Sequence, residues 1–175
     1  METFREIYGR AAARHRGDEG IGERLPDLKA ARQLRAQKDD RYLATMTKCV
    51  FRSGFVWRVV QAKWSGFEEA FSAFDPETVA ALSIDDVDRL AEDTRIIRHR
   101  KKIESAVSNA EMVLDVVREH GSFGRFLSDW PAQDTTGLWA VLKQDGQRLG
   151  ATPNRCFCAS PGATPSCCRA TSSAI

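Results

Sequence analysis

The residues best suited to chemistry with an anion lie in one stretch, Leu90–Ile103. Arg95, Arg98, His99, Arg100, Lys101 and Lys102 crowd together there, and no acid interrupts them from 95 to 102. Helical patterning precedes the stretch and follows it. A short basic turn that opens a helix offers unbonded backbone N–H groups at the positive end of the helix dipole, a ready anion site. If the anion is a DNA phosphate, the flanking Arg and Lys add attraction that carries no sequence information. The competing reading is a solvated basic loop with Ile96 and Ile97 anchoring it to the core, and charge alone favours that one.

The composition bounds what can position these residues. At 175 residues, 42% hydrophobic and 29% charged, the chain has the size and balance of one globular domain, with room for a tail. A net charge of +2 does not argue for nucleic acid by itself; the informative fact is that positive charge collects at 95–102 while 68–93 is acid-rich. No apolar run approaches the roughly 20 residues of a membrane span. The acidic N-terminus, Met1-Glu-Thr-Phe-Arg-Glu, lacks an apolar signal region, so the expected location is cytoplasmic. Cys49 stands alone in a helical pattern and the other four cysteines fall in the last 20 residues, which is not a disulfide framework.

The positioning elements read as helices throughout. Phe4, Ile7, Tyr8 and Ala11 recur at helical spacing, and the charged stretch 14–24 and Pro26 break that pattern. Residues 27–38 read as a loop or short helix. Asp39 or Asp40 is positioned to cap a largely buried helix running to about residue 62, through Leu43, Met46, Val50, Phe51, Trp57 and Val60. Gly54 interrupts it and is expected to permit a close approach. Trp64 and Gly66 mark a turn, and Phe67, Ala70, Phe71 and Phe74 a short helix. Asp75-Pro76 is an N-cap followed by a proline at the first helical position. Ser83-Ile-Asp-Asp86 resembles a capping box with Asp in place of Glu. After the basic turn, Ile103, Val107, Ala110, Val113, Leu114 and Val117 give a clean stripe ending before Gly121. Two further helices are expected, around Phe123–Leu127 and from Asp134 to Gly146. The fold class is all-α, a multi-helix domain over 1–150 followed by an irregular tail.

Residues 43–117 carry a resemblance. Gly54-x-x-Trp57, Phe67-x-x-x-Phe71-x-x-Phe74-Asp75-Pro76-x-x-Val79-Ala80, Asp86-Val87-x-Arg89-Leu90, Ile96-Ile97-Arg98-His99-Arg100-x-Lys102-Ile103 and Asn109-Ala110 resemble, in order and spacing, the DNA-3-methyladenine glycosylase I family. The likeness extends over about 40–150. It implies a helix–hairpin–helix base-excision enzyme of DNA repair that hydrolyses the N-glycosidic bond of an alkylated base after flipping it. It further implies that Ile96, Ile97, Arg98, His99, Arg100, Lys101 and Lys102 form the hairpin that holds the DNA backbone, and that Trp57 lines the base pocket. The physics agrees with such an activity: a flipped base is held between aromatic or apolar groups. A cationic alkylated adenine is already a good leaving group, and an aromatic face attracts it by on the order of 0.5–2 kcal/mol. Tyr8 and Phe51 are further aromatic candidates for the pocket, against the alternative that they are ordinary core aromatics.

The chain departs from the family at three places. Active members carry a glutamate that recognises the base, and that position falls on Cys49, with no Asp or Glu anywhere from Arg41 to Gln61. A thiol reproduces neither the charge nor the acceptor geometry of a carboxylate. The family's hairpin has Gly where this chain has Lys101, a replacement expected to cost roughly 1–2 kcal/mol if the residue is left-handed. Many members also hold a zinc between Cys and His, but here no Cys precedes Cys49 and no His follows His120, so no metal or other cofactor is expected. Asp115, on the helix after the hairpin, reads as a solvated acid rather than a catalytic one.

The likeness stops at about Gly150. Residues 151–175 are rich in Ala, Ser, Thr, Pro and Cys, a composition that buries no core and reads as a disordered tail, or as a frameshifted terminus in place of the last native helices. The expected partner is double-stranded DNA containing alkylated bases, with no membrane, and the expected state is a monomer. A non-catalytic DNA-binding relative that lost base recognition and a truncated inactive glycosylase are the alternatives.

Overall fold

A computed structural model describes residues 2–22, 31–131 and 133–150. Every regular element among them is helical: α1 (Phe4–Arg14), α2 (Gly17–Gly22), α3 (Ala31–Ala36), α4 (Asp39–Arg52), α5 (Trp57–Ala62), α6 (Trp64–Ala70), a 3-10 turn (Ser72–Phe74), α7 (Pro76–Ala80), α8 (Ile84–Glu92), α9 (Arg100–His120), α10 (Phe123–Asp129) and α11 (Thr135–Asp145). The all-α expectation is met. Pro26 and the tail, with its frameshift reading, lie outside the described residues.

Two helices organise the rest. α4 buries eight of its residues and α9 packs along it, with α7, α8 and α10 also against α9. Together they divide the interior into two cores. Tyr42, Met46 and Cys49 of α4 meet Met112 and Val113 of α9, with α10 and α11 closing that core through Phe123, Leu127, Leu138 and Leu142. Leu43 and Phe51 of α4 meet Ile103, Ala106 and Ala110 of α9 in the other, which holds Phe67, Phe71, Phe74, Val79, Ile96 and Ile97. A helix with apolar residues around most of its circumference is buried in this way. Asn109 pins the segment after α11 to α9: its Nδ2 donates to the Gln147 carbonyl at 3.2 Å and its Oδ1 accepts from the Gln147 N–H at 2.7 Å.

The single helix expected from Asp39 to about residue 62 is two helices. Gly54 adopts φ +85°, and Ser53 and Val56 are extended, so the chain turns a corner between α4 and α5. Among the described residues, chain neighbours aside, no atom lies within 4 Å of where a Gly54 Cβ would sit. The residue is needed for its left-handed conformation, not for a close approach. The close approach occurs at Gly66, where a Cβ would stand 2.5 Å from the Arg95 carbonyl oxygen. Trp64 and Gly66 lie inside α6 and not in a turn, and residues 17–22 form α2 within the stretch read as a break. Lys38, not Asp39 or Asp40, occupies the N-cap position of α4. The Asp39 carboxylate instead accepts from the N–H of Phe123 at 2.8 Å and ties α4 to the start of α10.

The caps around α7 and α8 form as read. Asp75 accepts from Thr78 N–H ahead of Pro76, and Ser83 and Asp86 close a reciprocal capping box. Before them Ser72, Ala73 and Phe74 are left-handed in succession. Phe71 and Phe74 stack at 5.3 Å, and Arg41 donates to the Ala73 carbonyl at 2.5 Å, which together hold a conformation that L-residues avoid.

Candidate nucleic-acid interface and base pocket

The site begins with α8 and α9, which pack on each other across the turn 93–99. Ile96 and Ile97 point inward, 2% and 8% exposed, and hold the turn on the core. They therefore present no side chain to a ligand, and the expectation that they touch DNA is narrowed to their backbone. The first turn of α9 opens at His99, whose carbonyl accepts from Lys102 N–H at 2.9 Å and Ile103 N–H at 3.2 Å. Among the described residues no side chain caps this end. The N–H groups of Arg100 and Lys101 are those a helix start leaves without intrahelical partners. Lys101 lies inside α9 and is not among the left-handed residues, so the expected cost of replacing a hairpin glycine is not incurred.

The cations of the turn divide by partner. Arg95 pairs with Asp93 at 2.7 Å and Glu69 at 3.1 Å, and the Arg95 guanidinium holds the Asp93 carboxyl below the usual carboxylate range. Arg100 pairs with Asp88 and Glu104. Lys102 corrects the expectation that it holds a phosphate. It is 5% exposed, and its ammonium donates to the carbonyls of Val50 at 2.9 Å, Phe51 at 3.3 Å and Ser53. These are carbonyls at the end of α4, which a cation satisfies well. Burial, with the Arg148 charge nearby, pushes the Lys102 ammonium below its ordinary pKa. Arg98 and Lys101 remain exposed, with no ion pair among the described residues. The His99 imidazole stands edge-on to Phe55 at 6.2 Å, and its Nδ1 is buried without a hydrogen-bond partner among the described residues.

The Lys102 contact joins the turn to the corner between α4 and α5. Phe55 and Val56 project from that corner, 38% and 68% exposed, and sequence patterning gave no sign of them. Their signal was the glycine before them, which places the corner at the surface. Trp57 follows as the first residue of α5 and is half-buried, with Arg52 Cζ 5.0 Å from its ring centroid.

The other pocket candidates are placed differently. Phe51 is fully buried, edge-on to Phe67 at 4.7 Å, and is a core aromatic rather than a pocket wall. Cys49 is 4% exposed and belongs to the core of Tyr42 and Met112, whereas Trp57 packs against the other core. It lies in the interior as a small hydrophobe. Tyr8 is half-buried on α1, where a hydrogen bond to Asp18 raises its pKa. α1 packs on α2. Asp115 is exposed and paired with Arg118. A cavity of about 340 Å³ lies elsewhere, where Asp39, Asp40, Asp75 and Glu77 outnumber the single cation Lys38 in the lining. Its acids repel a phosphate-bearing ligand, and it shares no residue with the turn. Among the described residues no His, Cys, Asp and Glu converge in a group of three or more that could hold a metal. No helix among them is long and apolar enough to cross a membrane.

Comparison with known proteins agrees with this architecture. Over 76 residues the chain is 37% identical to DNA-3-methyladenine glycosylase 1 of Escherichia coli and 33% identical to DNA-3-methyladenine glycosylase of Haemophilus influenzae. In both cases the match takes in 43% of this chain and 41% of the relative. The chain thus spans less than half the length of these relatives. A solved structure of 3-methyladenine DNA glycosylase I from Staphylococcus aureus, determined for its recognition of 3-methyladenine, superposes with a TM-score of 0.64 at 29% identity, covering 74% of this chain and 79% of that one. The methyladenine glycosylase family model matches residues 34–146, from the end of α3 to the end of α11, and so takes in the turn, the corner and both cores: the chain belongs to the methyladenine glycosylase family.

Proposed function

We infer that the chain is a DNA glycosylase that removes alkylated bases such as 3-methyladenine from duplex DNA. The observation that carries this reading is the Lys102 tie. It fixes an open basic helix start, with Arg98 and Lys101 in no ion pair among the described residues, against the exposed corner that leads into Trp57. In the proposed complex the Arg100 and Lys101 N–H groups bind a phosphate as a helix–hairpin–helix grip, and Arg98 and Lys101 add charge. Phe55 and Val56 enter the stack where the base leaves, as apolar wedges do, and Trp57 receives the base. The 3-methyladenine named for the Staphylococcus aureus relative supports the choice of base. Family membership favours this activity over a non-catalytic binding module.

The base in question departs as a neutral molecule from a cationic nucleoside, so catalysis leans on positioning rather than on a strong acid. Water attacks the sugar carbon and leaves an abasic site. Cys49, buried in the core, contributes no carboxylate to recognition. The test is release of free 3-methyladenine from methylated duplex DNA. Release by the wild type, lost in Trp57→Ala, is the expected result. Duplex binding with no release by the wild type would overturn the enzymatic reading.

A further inference from the structure

The segment after α11 brings a further cation to this side of the molecule. The chain doubles back there so tightly that a Cβ on Gly146 would stand 2.5 Å from Leu149 Cδ1. Gln147 is tied to Asn109 of α9 through both its N–H and its carbonyl. Leu149 is 1% exposed, in the core that also holds Cys49 and Val50. Arg148, between these two anchors, is exposed and forms no hydrogen bond or ion pair among the described residues. Its φ is +59°, a left-handed conformation that L-residues avoid. Backbone of that kind persists where its surroundings over-determine it, and it collects at ligand sites.

One face of α9 relates Arg148 to the turn. Lys102 and Asn109 are seven residues apart, close to two full turns, so they share a face with about 10 Å of rise between them. From that face Lys102 reaches the end of α4, and Asn109 holds the Arg148 segment further along. The Arg148 charge bears on the Lys102 ammonium and adds to burial in lowering its pKa. Two like charges are thus kept near each other, and neither pairs with an acid among the described residues. An anion at Arg148 relieves that repulsion.

We propose that Arg148 is a second backbone contact, taking a phosphate of the duplex other than the one at the Arg100 and Lys101 N–H groups. The proposal rests on the glycosylase reading. Asn109 and Leu149 act as positioning residues that hold the guanidinium toward solvent. Two phosphate contacts set apart along α9 fix the register of the strand while carrying no sequence information. The exposed corner of Phe55 and Val56 is tied to the same helix through Lys102, so the contacts and the wedge move as one body.

Anisotropy of a labelled duplex carrying a tetrahydrofuran abasic-site analogue, titrated with the full chain over a range of salt, tests this. Arg148→Ala and Arg148→Gly are each expected to bind about five- to tenfold more weakly at moderate salt, with the salt slope reduced by about one. Arg148→Lys keeps the charge and is expected to bind within about twofold of the wild type with the full slope. The glycine variant separates contact from folding. Glycine adopts φ +59° freely, so Arg148→Gly is expected to melt no lower than the wild type while binding more weakly. Wild-type affinity and slope in Arg148→Gly would overturn the proposal, as would a loss in Arg148→Lys equal to that in Arg148→Ala. Either result beside a wild type that binds the duplex removes Arg148 alone. A wild type that binds no duplex removes the glycosylase reading and this contact with it.

Discussion

At the scale of single residues, charge had to be divided by what each charge already touches. The sequence shows a run of cations from Arg95 to Lys102, and nothing in their types separates those that pair internally from those that remain open. Arg95 and Arg100 find acids 26 and 12 residues upstream, at Glu69 and Asp88, besides near neighbours. Lys102 reaches back to the end of α4. The double substitution Arg98→Ala with Lys101→Ala is therefore expected to weaken duplex binding and to reduce the salt slope by about two, with thermal stability unchanged. Binding against salt concentration checks it. Lys102→Met is expected to act the opposite way. It takes the ammonium away from the carbonyls of Phe51 and Ser53 and leaves that of Val50 only the Ser53 N–H at 3.3 Å, and costs roughly 2–4 kcal/mol, read as a lower urea midpoint. In sequence, a buried lysine such as Lys102 and a phosphate-binding lysine look alike until their burial is known. Phe51 and Phe55 raise the same difficulty: both are aromatic and four residues apart, and only the corner at Gly54 puts one inside and the other at the surface.

At the scale of elements, the caps were legible and the breaks were not. Asp75-Pro76 and Ser83…Asp86 are local chemistry, complete within four residues, so the sequence states them fully. Asp86 is held at a pKa of about 2, first by the Ser83 side chain, then by the Ser83 N–H, with Arg89 adding to it. A carboxyl lowered in the fold contributes stability above its unfolded pKa of about 4. That contribution fades as pH falls from about 4 toward 2, and acid titration of Asp86→Asn should lack this component. Ser83→Ala is expected to cost about 1 kcal/mol in thermal or urea melts. The division of α4 from α5 depends on Gly54 at φ +85°, which no periodicity announces, since the apolar stripe continues across the corner. Gly54→Ala should lower stability by about 1–2 kcal/mol through backbone strain alone. Gly66→Ala should do so by driving α6 away from the Arg95 backbone, a defect readable as weaker duplex binding because it displaces the turn.

At the scale of the whole molecule, the all-α class and the order of helices followed from patterning, because amphipathic stripes report burial without saying against what. The partition into two cores did not follow, since it requires knowing that α4 and α9 run against each other and share both. Cys49 and Trp57 fall on opposite sides of that partition although eight residues apart, so the thiol that the resemblance puts at the base-recognising position lies in the other core. Asn109 shows what the family-like Asn-Ala pair is for: it bonds Gln147 in both directions and keeps the end of the domain on α9. Asn109→Ala leaves that N–H and carbonyl unsatisfied and is expected to cost roughly 1–3 kcal/mol, seen as earlier loss of amide protection after α11 than elsewhere. The Lys102 tie has a consequence of another kind. Under the proposed function it makes the molecule a caliper: one jaw closes on a phosphate, the other on a ring, and a single ammonium sets the opening. A damaged base in a strand too stiff to span that opening would go unread, however well its ring stacks.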